Sequence, residues 1–162
     1  MFTIQKDLEY NAWANTKVAE FLANVDDKVL DAELKSSFPS IRKTILHLWD
    51  AEQIWLSRLQ GSPKTTWPSE SFNGTKEELL AGFVQGSKDI ANFAASKDSA
   101  YLTSPVTYKN MAGKEFTSSV DEIFSHVVNH GTFHRGQLIT MLRELGFTTF
   151  ESQDLITYLR QL

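Results

Sequence analysis

Four long stretches of helix-period hydrophobicity, parted by polar or breaker-rich segments, leave this chain little choice but to pack helices against one another. In the first, from about Ile4 to Val25, Ile4, Leu8, Ala12, Val18, Phe21 and Leu22 recur at helical intervals, with Tyr10 and Trp13 beside them. The second is IRKTILHLWDAEQIWLSRL, with Ser40 placed as its N-cap and Gly61 and Pro63 as its stop. The third opens on a capping box, Thr75 with Glu78, and runs to about Ser96. The fourth is VDEIFSHVVNHGTFHRGQLITMLREL, capped by Ser119 and ended by Gly146.

The segments between are of different kinds. VDDKVLDAEL forms a minor helix or an acidic loop, and GSPKTTWPSESFNG carries the breakers of a surface loop. From Ala100 to Thr117, YLTSPVTYK and KEFTSSV are rich in β-branched and aromatic residues and flank NMAG, which predicts a short hairpin. Two strands alone are marginal, so this hairpin must lean on the bundle. A last short helix is expected from Ser152 or Asp154 to the end. Residues 1–162 thus make one domain, an all-α four-helix bundle with a short β-hairpin insertion before the last long helix.

Composition removes several classes of function. Apolar residues make up 41% of the chain, ordinary for a packed core and too many for disorder. No apolar run approaches the ~18 residues that span a bilayer, and no basic segment leads into an apolar one near the start, so neither a membrane span nor a secretion signal is expected. Cysteine is absent, which excludes disulfides, thiolate ligands and a cysteine nucleophile, and fits a cytoplasmic location. A net charge of −4 offers no general basic field for nucleic acid or anionic lipid.

The chemistry lies in the histidines. Three of the four stand in HVVNHGTFHRGQ, at His126, His130 and His134. Residues four apart on a helix lie ~6 Å apart along its axis and can share an ion, whereas residues eight apart, at ~12 Å, cannot do so easily. One site therefore uses His126 with His130 or His130 with His134. On a helical wheel, Val120, Phe124, Val127, Gly131, Leu138, Leu142 and Leu145 mark the inward face. His134 falls inside that stripe, His130 at its border, and His126 further round, towards Glu122 and Phe133. The inner pair is His130 with His134, and His126 is an outer neighbour placed to hydrogen-bond a ligand. Gly131, inward between the pair, leaves room for a ligand or a close helix.

A lone histidine at a core border is ordinarily just a hydrogen-bonded core residue. Two at this spacing on an inner face are harder to explain that way, since each buried imidazole needs polar partners. His47, the fourth histidine, is the natural third ligand, although its flank of Thr44, Ala51 and Ile54 does not demand an inward position. The apolar stripe of that helix is Ile41, Ile45, Leu48, Trp55 and Leu59, and Glu52 interrupts it. Such a carboxylate either orients a ligand or serves as a base, or is a buried group satisfied by partners, which is the commoner case.

SIRKTILHLWDAEQIWL together with HVVNHGTFHRGQL resembles the DinB family of damage-inducible helical-bundle proteins, distinct from the DNA polymerase that shares the name. YNAWAN resembles that family's first helix, so the likeness spans nearly the whole chain. It implies an up-down-down-up bundle with a divalent ion held by His47, His130 and His134.

Three imidazoles leave coordination positions open for water or substrate, as in a catalytic site. Nitrogen ligands suit zinc, nickel, iron(II) or copper. The resemblance extends to thiol transferases and isomerases, which implies an S-transferase acting on a small molecule with a low-molecular-weight thiol as cosubstrate. With no cysteine in the chain, that thiol must come from outside. Metal-dependent hydrolysis and a non-catalytic metal-binding stress-response protein are the alternatives. A homodimer is expected from the resemblance and from the aromatic surface of Trp49, Trp67 and the first helix, unless those rings pack within the bundle.

Overall fold

Capping chemistry starts each of the four long helices where the sequence places it. The structure, a computed structural model, describes residues 3–62, 66–110 and 112–162. Thr3 accepts from the Lys6 N–H and opens α1 (Ile4–Ala23), which ends two residues short of the expected Val25. Asp26 caps the short α2 (Asp27–Asp31). Ser40 accepts from the Lys43 N–H to begin α3 (Ile41–Leu59). Gly61 follows with φ 65°, while Pro63 lies outside the described residues.

Two expectations need correction. The expected surface loop contains a helical turn, α4 (Pro68–Ser71), held to α3 where the Ser69 N–H donates to Asp50 Oδ1 at 3.0 Å. The Thr75–Glu78 box then opens α5 (Lys76–Ala95) as expected. The start of the segment expected as strand is also helical, as α6 (Ser99–Leu102). Asp98 caps that turn through the Tyr101 N–H, a local interaction that outweighs the strand propensity of the residues.

The hairpin follows as β1 (Pro105–Lys109) and β2 (Glu115–Ser119), antiparallel, with Thr107 opposite Thr117. Asn110 Oδ1 braces the turn by accepting from the Ala112 and Lys114 N–H groups. At Ser119 the strand becomes the cap of α7 (Val120–Glu144), with Glu122 reaching back to the Ser119 N–H at 2.8 Å. Gly146, at φ 93°, ends the helix as read from the sequence, and α8 (Leu155–Leu159) closes the chain.

Pair contacts fix the topology. Gln5 reaches Ala94 and Lys97 while Lys76 reaches Val25, so α1 and α5 are antiparallel. Thr44 meets Met141 and Trp55 meets His126, so α3 and α7 are antiparallel too. Asn11 and Phe21 of α1 meet Arg135 and Phe147 in the same order, so α1 and α7 run parallel. The bundle is therefore up-down-down-up, with α1 packed on α5 and α7, and α3 packed on the same two helices.

The core falls into two apolar halves. One centres on Leu22, Ile41, Ile45, Phe83 and Leu142; the other on Leu8, Ile90, Val120 and Phe124. Between them lies a buried polar layer of Asn11, Asn15, Glu52, Ser87 and Arg135. Aromatic surface that the sequence left free for self-association is largely covered within the chain. Tyr10 and Trp13 pack on Tyr158 of α8. Trp49 lies in a notch of α5 made by Gly82 and Gly86, with Phe72 edge-on at 5.8 Å. No described helix is long and apolar enough to cross a membrane.

Candidate metal centre

Helical spacing brings His130 and His134 to one side of α7, and the antiparallel packing of α3 sets His47 against them. Ligand nitrogens of the three all lie within 4.8 Å of one another. The Nε2 atoms of His47 and His130 are 3.0 Å apart. Ring centroids are 4.7 Å apart for His47–His134 and 4.4 Å for His130–His134. Among the described residues no fourth histidine, aspartate or glutamate joins the group.

The donor set fits an ion. Two nitrogens 2.0–2.1 Å from a tetrahedral zinc stand about 3.3 Å apart, close to the His47–His130 separation. A ligand imidazole must be neutral, and burial keeps these so. It pushes His47 down to about 4, with His134 adding its repulsion. His130 falls to about 4 as well, first by burial and then by the neighbouring histidines. His134 is lowered by burial, against a hydrogen bond to Gln137 that favours its charged form.

Surrounding side chains aim the rings. His134 Nδ1 bonds Gln137 Oε1 at 2.7 Å, and Gln137 Nε2 donates to Ser37 Oγ at 3.2 Å. Occupying Nδ1 in this way turns the Nε2 of His134 to the other side of its ring. Phe38, on the loop before α3, stacks on His47 with ring centroids 4.1 Å apart. Neither Gln137 nor Phe38 was anticipated. Gln137 could have been found, since it lies one helical turn beyond His134, but nothing local marks Phe38.

His126 stands where the wheel put it, exposed at the edge of the group. Its contacts are with rings, at 5.7 Å to His130 and 5.5 Å to Trp55, and it makes no hydrogen bond to the three histidines. Glu52 points elsewhere. Its carboxylate accepts from Asn11 at 2.8 Å, Asn15 at 3.1 Å and Ser87 at 2.8 Å, and none of its partners is a histidine. Burial pushes its carboxyl up to about 7 despite these bonds.

Arg135 completes the same layer. Its guanidinium donates to Asn11 Oδ1 at 2.6 Å and to Asn15 Oδ1 at 2.8 Å, so two asparagines link a buried cation to a buried carboxylate. Glu52 sits on the histidine-bearing α3 and Arg135 directly follows His134 on α7. The layer thereby ties the rotation of both helices to α1. Gly131 serves this packing, since an added Cβ would strike Asn11 Oδ1. The room it leaves is filled by a close helix and not by a ligand.

The DinB family model matches residues 1–160. This chain belongs to the DinB family. Protein DinB of Bacillus subtilis (strain 168) is 29% identical over 148 residues, covering 87% of this chain and 85% of that protein. A crystal structure described as a DinB family member from Exiguobacterium sibiricum 255-15 shares the fold, with a TM-score of 0.68. That likeness covers 95% of this chain and 99% of the other at 16% identity. In this DinB chain the up-down-down-up bundle carries three histidines able to hold a metal ion.

Proposed function

We propose that this DinB-family chain is a metal-dependent enzyme, with His47, His130 and His134 holding one divalent ion of zinc, nickel or iron(II). The reaction we favour is S-transfer from a low-molecular-weight thiol to a small electrophile. One observation carries the proposal. Three neutral imidazoles converge with no fourth protein ligand among the described residues, and His47 also lines an open cavity. When bound, such an ion supplies a Lewis acid that lowers the pKa of a thiol or water brought to it.

The chain's own residues do the rest. Gln137 fixes the ring of His134, Phe38 covers one face of His47, and the Glu52–Arg135 layer holds the two helices in rotational register. Homodimer formation belongs to the same proposal. Since Tyr10, Trp13 and Trp49 pack against rings of the same chain, a second copy would use other apolar surface such as Phe133, which is 62% exposed.

Elemental analysis of protein purified without added metal tests the ion, with one equivalent expected. Metal-loaded protein given a panel of thiols and 1-chloro-2,4-dinitrobenzene then tests the reaction. The thiol sulfur forms the new C–S bond, chloride leaves, and the thiol proton passes to solvent. Adduct formation that survives His130→Ala sinks this mechanism. Occupancy without adduct from any thiol favours a non-catalytic metal-binding protein or a hydrolase.

A further inference from the structure

A cavity of about 560 Å³ runs along one flank of α3, where His47, Ala51, Ile54, Trp55 and Arg58 follow at helical intervals. Trp67 forms a wall on the α4 side, and Tyr108 forms one on the hairpin. The cavity is thus a trough with aromatic walls, a histidine of the candidate metal centre at one end and a guanidinium at the other.

Arg58 is built for a ligand. Its guanidinium lies over the rings of Trp55 at 4.7 Å and Tyr108 at 5.3 Å, and one nitrogen donates to the Lys109 carbonyl at 2.8 Å. No carboxylate pairs with it among the described residues. A guanidinium has five N–H donors, so most remain available, already oriented by the stacking. The trough's two carboxylates, Asp50 and Glu70, lie towards the His47 end, where the Ser69 N–H pins α4 to Asp50. They repel an anion from that end and leave Arg58 as its place.

We propose that the trough binds an elongated ligand with an apolar or aromatic body and one anionic group, its reacting end at His47 and its anionic group on Arg58. His47 and Arg58 are eleven positions apart in sequence, roughly 16 Å along a helix. Arginine side chains lean back towards the helix N-terminus, so the ligand must span on the order of 10 Å. The proposal rests on the metal reading only for what the ligand does at His47. The Arg58 end stands without it.

Two arms test it. In metal-free protein, 6-phenylhexanoate and 6-phenylhexanol are titrated against tryptophan fluorescence, since Trp55 and Trp67 line the trough. The acid is expected to bind about ten-fold tighter, as a charge-assisted hydrogen bond predicts. That preference should vanish in Arg58→Met and largely persist in Arg58→Lys, which retains the charge if the hairpin is disturbed. Equal binding of acid and alcohol, or a preference that survives Arg58→Met, overturns the proposal.

In zinc-loaded protein, calorimetry with 6-mercaptohexanoate and 3-mercaptopropionate tests the span. Arg58→Met should weaken the long thiol acid by about ten-fold and leave the short one unchanged. Equal effects on both overturn the placement at Arg58. If zinc does not bind, the metal reading fails and the first arm still judges the trough. If zinc binds and the first arm shows no acid preference, the trough proposal fails and the metal reading stands.

Discussion

The Nε2 atoms of His47 and His130 face each other at 3.0 Å across the seam between α3 and α7. Burial holds both rings neutral, so the pair shares one proton or one ion. Replacing either by alanine leaves two imidazoles. Zinc occupancy, measured by elemental analysis after dialysis, should then fall from one equivalent to near zero.

Acid should weaken the metal-free fold through these rings. Their folded pKa values, about 4 for His47 and His130, lie below the ordinary imidazole value of 6.5. The unfolded chain therefore binds more protons between those limits. The stability they contribute is complete above pH 6.5 and lost as pH falls through 4. His130→Ala removes one such group, so the melting temperature of the native protein minus that of the variant should shrink from pH 7 to pH 4.

Glu52 has the opposite sign. Burial raises its carboxyl from 4.5 to about 7, so the folded state binds the extra proton and loses stability as pH rises through that window. Glu52→Gln can still accept from both asparagines and donate to Ser87. Its melting temperature should gain on the native protein from pH 5 to pH 8. Glu52→Leu strands Asn11 and Asn15 and should cost about 2–4 kcal/mol in urea titrations at neutral pH.

Gln137 acts through His134. Gln137→Ala removes the 2.7 Å bond that fixes the ring, and zinc affinity should fall about 10- to 100-fold in a chelator competition. The urea midpoint of the metal-free protein should hardly change, because Gln137 is only half-buried.

Gly82 is where Trp49 needs space. An added Cβ would overlap the indole ring, so Gly82→Ala should destabilise by about 1–3 kcal/mol. Trp49→Phe shortens the ring and should recover part of that loss in a double-mutant cycle, measured by urea unfolding.

Helix starts were legible because caps are local. Ser40, Thr75 and Ser119 act within three residues of themselves, and each stands at the boundary expected of it. Asn11 and Asn15, polar and four apart in an apolar helix, also carried a signal, though it did not say which groups they would meet. Local chemistry misled at α4 and α6, where single turns formed inside segments read as loop and strand.

By itself the sequence determined the four long helices and the pairing of His130 with His134, since periodicity decides which residues share a face. It could not determine which neighbour a face meets. That depends on how helices order themselves around a bundle, and only the tertiary structure decided it. There His47 comes to the pair, Asn11 fills the space beside Gly131, and Glu52 turns to Arg135's network and away from the histidines.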